Sequence, residues 1–112
     1  MVTRVDATAH EDIAVSVIVE LELLYGAYLT KDPAESETKV RELLAPWTVL
    51  PIEPTFDEYV RQKALLRGTG DTVADFDLLI GAAAVHHGLI AVTDNEKHFE
   101  NLDGITIENW QR

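Results

Sequence analysis

Apolar positions in this chain fall into short β-branched runs that alternate with longer stretches of helical periodicity. Residues 13–19 form the first run, which predicts a buried strand leading into a helix over about residues 19–29. Further strands are predicted at residues 47–52, 89–93 and 105–107. We expect the packing side of the first helix to consist of Leu21, Leu24, Tyr25 and Tyr28.

Capping signals mark the second and third helices. The second begins with Asp32 as its N-cap and Pro33 as its first helical residue, and it ends before the next proline, at position 46. The third begins with a capping box made by Thr55 and Glu58 and runs to about residue 67. Two glycines are expected to end it, Gly68 and Gly70.

The segment from residue 75 to residue 87 predicts a helix that is buried against the core. Asp75 and Asp77 precede a run of small apolar residues that is too long for an average strand and contains no turn residues. Gly81 and its neighbouring alanines allow other elements to approach closely, and Gly88 is the expected stop. Asp77 is therefore predicted near a helix N-terminus, at the rim of the core.

Strands that alternate with helices predict α/β architecture with a mostly parallel sheet. The 112 residues make one domain, or part of one, and 46% hydrophobic residues support a real core. In open sheets of this kind, ligand sites form at the carboxyl ends of the strands.

The chain is strongly acidic, with 20 Asp and Glu against 9 Lys and Arg and a net charge of −11. Such a surface repels nucleic acid at long range, although a divalent metal or a basic partner can offset this locally. The acids are spread along the chain, which favours a solvated surface. The absence of cysteine fits a reducing interior. No apolar run reaches the length of a membrane span, so we expect a cytoplasmic protein with no membrane contact.

Polar residues with ligand chemistry follow predicted strands or open helices at three places: Glu20 with Glu22, Asp75 with Asp77, and Thr93-Asp94-Asn95. Carboxylates from separate strand ends can converge on one hard cation, and Mg²⁺ accepts two or three of them while keeping several waters. The two glutamates are two positions apart on a helix, so only one of them can face a shared site. Acids at such positions also serve as caps, and spacing alone leaves both roles open.

Four segments together resemble one family. Residues 16–26 read S-V-I-V-E-L-E-L-L-Y-G, and residues 75–83 read D-F-D-L-L-I-G-A-A. The segment H-G-L at 87–89 is followed by V-T-D-N-E-K-H-F at 92–99, and the chain closes with G-I-T-I-E-N-W at 104–110. In this order they resemble PIN-domain proteins of the VapC toxin type, a likeness that extends from about residue 13 to the end.

The resemblance implies a three-layer α/β/α ribonuclease that uses Mg²⁺ or Mn²⁺ and hydrolyses RNA phosphodiesters. It also implies the toxin of a toxin–antitoxin pair, with RNA as substrate, a cognate antitoxin as partner and a homodimer as the usual assembly. Carried over by position, Glu22, Asp77 and Asn95 are the catalytic residues. The metal ligands are then Asp77, Glu22 and Asp94, while Asp75 and Glu20 are flanking acids and Thr93 holds the site by hydrogen bonding.

One part of the family pattern is missing from this chain. The family opens with a strand ending in L-D-T-N, whose aspartate is the first metal ligand and whose strand is central in the sheet. Residues 1–12 are instead predicted to be the tail of a helix and a loop, and Asp6 follows no apolar strand. We therefore expect a single PIN-like domain over residues 1–112 that lacks its central first strand, a unit of roughly 30 residues.

Loss of a central strand leaves its neighbours with unpaired edges. The two halves of the sheet must then close up, be bridged by another chain, or stay marginal. A late start codon, a decayed gene and a persisting short form are all consistent with this pattern. Two functions therefore compete: a Mg²⁺-dependent RNA endonuclease, and a catalytically impaired PIN module that only binds antitoxin or self-associates. A weaker third alternative is a translated remnant without function.

Other polar and aromatic residues have structural interpretations. His98 is predicted to be a packing or capping group, and the tryptophans at 47 and 110 to be core or interface residues. The basic residues Arg61, Lys63 and Arg67 lie on the third helix, where a solvated helix face is favoured over an RNA contact.

Overall fold

The computed structural model describes residues 13–93 and 95–109. The predictions for residues 1–12, for Asp94 and for Trp110 lie outside these residues. The helices are α1 (Val17–Tyr28), α2 (Pro33–Leu44), α3 (Phe56–Thr69) and α4 (Asp75–His87), and two 3₁₀ turns cover Glu53–Thr55 and Glu96–His98. The strands are β1 (Ala14–Ser16), β2 (Thr48–Leu50), β3 (Ile90–Val92) and β4 (Thr106–Glu108).

The strands form two separate parallel pairs. β1 pairs with β2, with Val15 opposite Val49, and β3 pairs with β4, with Ala91 opposite Ile107. In the part of the chain that the structure describes, no ladder joins one pair to the other. The predicted α/β fold with parallel strands is confirmed, but the described sheet is divided into two halves.

The first helix begins earlier than predicted. Ser16 ends β1 and caps α1, because its Oγ accepts a hydrogen bond of 3.1 Å from the backbone N–H of Ile18. The prediction that the strand extends to residue 19 is therefore wrong. The buried cap outweighs the strand preference of the β-branched residues at 17–19.

The second helix has the predicted cap, whereas the third does not. Asp32 Oδ1 accepts from the Glu35 N–H at 3.1 Å. The predicted capping box at Thr55 is wrong, since the Thr55 hydroxyl donates to the Ile52 carbonyl at 2.6 Å. A 3₁₀ turn precedes the helix and brings that carbonyl within reach. Gly70, in the left-handed conformation, ends α3, and the other glycine predicted to end it lies inside the helix.

The buried fourth helix is confirmed, and it organises the core. Leu78 packs with Leu66, Phe99 and Leu102 in one apolar cluster. A Cβ at Gly81 would overlap the Leu102 side chain, so the predicted close approach is also confirmed. The amide of Gln62 is buried here and is paired with the backbone of residue 103 in both directions.

Several residues that were predicted to pack are exposed. On α1, the exposed fractions of Leu21, Tyr25 and Tyr28 are 52%, 67% and 73%, and Ile18 and Ala27 are the buried residues of that helix instead. The strand predicted at residues 89–93 is not buried throughout, because Ile90 is half exposed. These surfaces are open because none of the described elements covers them. No helix among these residues has the length and apolar character needed to cross a membrane.

Candidate active site

A groove of about 760 Å³ separates the two halves of the sheet. Residues of β1 line one side, residues of β3 line the other, and α1 and α4 contribute the remaining walls. The lining is largely apolar and includes Val15, Val19, Leu23, Leu50, Ile80 and Val92.

Polar side chains also line this groove, and they come from the starts of helices and from the segment after β3. Glu22 comes from the second turn of α1, Asp77 from the first turn of α4, and Asn95 from the segment after β3. Three residues predicted for one site from distant parts of the sequence therefore share one groove. Glu108, at the end of β4, also lines it and was not singled out by the sequence.

Asp77 has a histidine partner that sequence reasoning missed. His98 Nδ1 lies 3.2 Å from Asp77 Oδ2. The Asp77 side chain is 27% exposed, so the imidazole lies against a carboxylate that is partly removed from solvent. His98 was predicted to be a packing or capping group, and the packing half of that prediction is wrong, since more than half of its side chain is exposed. The H-F pair that follows the asparagine by three residues is the sequence signal that marks this position.

Thr93 fixes the backbone that leads to Asn95. Its buried hydroxyl accepts a hydrogen bond of 3.0 Å from the Asn95 N–H, while its own N–H donates to the Glu108 carbonyl at 3.0 Å. Thr93 therefore joins the end of β3 to the end of β4 and orients the following turn. Asp94, predicted as a metal ligand, lies between these residues and outside the described part of the chain.

The two glutamates of α1 face different surroundings. Glu22 lines the groove, whereas the charge of Glu20 acts on Arg41 of α2. The pKa of Arg41 is raised mainly by its hydrogen bond and charge interaction with Glu37, and Glu20 raises it further. This agrees with the expectation that only one of the two glutamates can face a shared site.

Asp75 does not line the groove. Its Oδ1 accepts hydrogen bonds from Lys63 Nζ and the Tyr59 hydroxyl, each at 3.0 Å, so it ties α4 to α3. The hydrogen bond from Lys63, followed by that from Tyr59, lowers the pKa of Asp75. The structure thus gives Asp75 a partner on the neighbouring helix, and its role as a flanking acid of the site stays a prediction.

Two of the three basic residues of α3, Arg61 and Lys63, are paired with acids of this chain. Arg61 pairs with Glu58 at 2.6 Å and with Asp103 at 2.9 Å, while Lys63 pairs with Asp75. Their charges are largely balanced, which agrees with a solvated helix face.

The groove residues have the chemistry of a hard-cation site. Glu22 and Asp77 supply carboxylate oxygens and Asn95 an amide oxygen, the donors that Mg²⁺ and Mn²⁺ prefer. Across residues 13–93 and 95–109, no three His, Cys, Asp or Glu side chains are close enough to hold a metal together. A cation that retains most of its waters needs only one or two carboxylates, so the described donors fit Mg²⁺ better than a closed zinc site.

Known proteins match this chain over most of its length. A family model for the PIN domain matches residues 2–105. The ribonuclease VapC2 of Haemophilus influenzae is 31% identical over 99 residues, which are 88% of this chain and 75% of the relative. The tRNA(fMet)-specific endonuclease VapC of Salmonella typhimurium has the same identity and coverage.

The fold also matches solved structures. The crystal structure of DNA-bound VapBC from Salmonella typhimurium has a TM-score of 0.83 and 31% identity, and the match covers 87% of this chain and 74% of that chain. The likeness therefore extends from the sequence to the path of the backbone.

Proposed function

The chain belongs to the PIN-domain family, with the VapC ribonucleases as its relatives, and on this premise we propose that it hydrolyses RNA phosphodiesters at a carboxylate-held Mg²⁺ or Mn²⁺ ion. In this proposal the protein is the toxin of a type II toxin–antitoxin pair. The observation that carries the proposal is the position of Glu22, Asp77 and Asn95 on one groove.

Each groove residue has a separate task in this reaction. Asp77 and Glu22 would hold the cation through their carboxylates, with Asp94 as a further proposed ligand. A cation bound there activates water and stabilises charge on the phosphate. Asn95 would present its amide to the cation or the phosphate, and the Thr93 hydroxyl accepts a hydrogen bond from the Asn95 N–H and so fixes the backbone there.

The acidic surface of the chain repels RNA, so a bound cation or a protein partner has to reduce this repulsion. A net charge of −11 opposes the approach of RNA, and Arg61 and Lys63 of α3 are already paired with acids. A cation held by the groove carboxylates would lower this repulsion locally. We further propose a cognate antitoxin and a homodimer as partners, and the cytoplasm as the location. The exposed apolar residues of α1 offer contact area for such partners.

A cleavage assay with single-site variants tests the proposal. The purified chain is incubated with a mixed RNA pool and Mg²⁺ or Mn²⁺, with EDTA as the metal-free arm. Asp77→Asn and Glu22→Gln remove one charge each without changing side-chain size. Each is expected to lose more activity than the roughly 10–100-fold that loss of an outer-shell partner costs.

Asp57→Asn is the matched control, because Asp57 is an exposed acid of α3 that does not line the groove. It should cleave like the unmodified chain. Equal activity of the chain and Asp77→Asn, or cleavage that persists in EDTA, contradicts the proposed site. Absence of cleavage in every sample, with antitoxin binding retained, instead supports the catalytically impaired binding module.

A further inference from the structure

The first turn of α4 carries Asp77, and it begins next to a residue that cannot cap it. The N-cap position is Ala74, which has no polar side chain, and the helix starts at Asp75. The first N–H groups of a helix have no partner within the helix, so a first turn without a side-chain cap opens more easily than the turns that follow. The position of the Asp77 carboxylate therefore depends on other contacts that hold this turn.

Two side chains of α3 hold the turn through Asp75. The Tyr59 hydroxyl and Lys63 Nζ each donate to Asp75 Oδ1 at 3.0 Å, and Lys63 Nζ also donates to the Tyr59 hydroxyl at 2.9 Å. Tyr59 and Lys63 are four positions apart on α3, so their side chains lie on one face of that helix. Each of the three groups is hydrogen-bonded to the other two, and hydrogen bonds to a charged carboxylate are stronger than those between neutral groups. This triangle fixes the direction of the Asp75 side chain toward α3.

Asp77 is held from another side of the same turn. Residues two positions apart on a helix point about 200° apart. Asp75 therefore faces α3 while Asp77 faces the groove, where His98 Nδ1 lies 3.2 Å from its Oδ2. The turn is thus fixed between α3 and the segment after β3. If the contact with α3 is lost, the turn can rotate or unwind, and the Asp77 carboxylate moves with it.

The contact with α3 is exposed, so its expected effect is local. The side chains of Lys63 and Asp75 are 56% and 62% exposed, and exposed ion pairs contribute little to global stability. The placement of a functional carboxylate is more sensitive, because a site needs its groups within about 0.5 Å of the productive geometry. A weak contact can therefore matter for Asp77 without mattering for the fold.

We propose that Tyr59 and Lys63 are positioning residues for the groove: they anchor Asp75 and thereby fix the helical turn from which Asp77 reaches the groove. None of the three anchor residues lines the groove, so they act on it only through this turn. The inference rests on the proposed function where it gives Asp77 the role of a metal ligand. The anchoring itself needs neither a cation nor RNA.

Conservative variants of the two anchors test the inference in the purified, metal-free chain. Lys63→Met and Tyr59→Phe remove the donors and keep most of the side-chain volume. Lys39→Met is the matched control for the first, because Lys39 makes a similarly exposed ion pair with Glu35 on α2. Tyr28→Phe is the matched control for the second, because Tyr28 is an exposed residue of α1 that does not line the groove.

Two measurements report on the turn and on Asp77 separately. Amide hydrogen exchange at Leu78 reports on the turn, because the Leu78 N–H donates to the Ala74 carbonyl at 2.8 Å. The nitrogen chemical shift of His98 Nδ1, measured at one fixed pH, reports on Asp77, because this atom lies beside its carboxylate. Asp77→Asn supplies the reference shift for a lost carboxylate.

Both anchor variants should exchange the Leu78 amide faster than the controls do, by about threefold or more. Both should also move the His98 shift toward its value in Asp77→Asn. Lys63→Arg, which keeps a charged donor, should recover part of both effects.

Two comparisons separate anchoring from a general loss of stability. Exchange at Ala82, in the buried part of α4, and the Tm should change no more in the anchor variants than in the controls. In an Asp75→Asn background, Lys63→Met should add nothing, because both changes break the same contact.

Calorimetric titration with Mn²⁺ connects the anchor to the proposed function. The affinity of both anchor variants for Mn²⁺ should be about two- to tenfold lower than that of the unmodified chain, and the controls should match the unmodified chain.

Equal exchange at Leu78 in the anchor variants and the controls overturns the inference. An unmoved His98 shift also overturns it, because the turn then opens without displacing Asp77. Unchanged Mn²⁺ affinity in both anchor variants has the same consequence. If the unmodified chain binds no Mn²⁺, the proposed metal site fails, whereas exchange and the His98 shift still decide whether α3 positions Asp77.

Discussion

Replacement of Gly81 by alanine tests the packing that places α4 in the core. The added Cβ would overlap Cδ1 of Leu102 and lie 3.4 Å from Phe99 Cδ1 and 3.6 Å from Ile105 Cδ1. Leu102 is only 4% exposed and belongs to the central apolar cluster, so its side chain has little room to move aside. The substitution should therefore strain the contact between α4 and the segment that leads to β4.

The expected size of the effect follows from two opposing contributions. Overpacking of a filled core costs about 1–3 kcal/mol. Alanine in place of glycine inside a helix returns up to about 1 kcal/mol. The free energy of unfolding should therefore fall by up to about 2 kcal/mol. In a domain of roughly this size, each kcal/mol lost lowers the Tm by about 4–8 °C.

Gly26→Ala supplies the matched control. Gly26 also lies within a helix, but a Cβ there would meet nothing within 4 Å. This variant should be neutral or more stable by up to about 1 kcal/mol. Urea and thermal unfolding followed by circular dichroism measure both variants. If Gly81→Ala is as stable as Gly26→Ala, the tight contact does not exist in solution and the reasoning is refuted.

Three further predictions concern polar contacts. Hydrogen bonds from a lysine and then a tyrosine lower the pKa of Asp75. The contribution of Asp75 to stability is therefore present above about pH 4 and is lost as the pH falls through the lowered pKa. In acid titrations, the free energies of unfolding of the unmodified chain and of Asp75→Asn should converge at low pH. Gln62→Leu leaves both backbone groups of Asp103 without their buried partner and should cost about 1–3 kcal/mol in urea unfolding; a neutral result contradicts the pairing. His98→Ala removes the group beside Asp77 and should weaken Mn²⁺ binding, measured by calorimetry, by roughly 10–100-fold, while His98→Asn, which retains a donor near the Nδ1 position, should recover part of it.

Secondary structure was predictable from the sequence wherever a residue caps or ends a helix through contacts with its own neighbours along the chain. The cap made by Asp32 and the left-handed Gly88 after α4 are examples, since both act within one turn. Thr55 shows the limit of such signals. Its hydroxyl was predicted to accept from the backbone N–H of Glu58. In the structure it donates to the Ile52 carbonyl, which the preceding 3₁₀ turn brings close.

The candidate site was predictable in its main members but not in their pairing. Residue type and position indicated three polar segments, and the family resemblance selected Glu22, Asp77 and Asn95 within them, all of which line the groove. The partners were not predictable, because His98 reaches Asp77, and Asp75 reaches Lys63, only after separate elements have packed together.

The sequence alone therefore predicted the helices and the residue types that line the groove, because turns, caps and apolar runs act over a few positions. Which apolar residues are covered depended on elements far apart in the chain. The tyrosines of α1, which no described element covers, are the clearest case. A side chain or a strand edge is buried only when another segment covers it, and that is a property of the assembled fold.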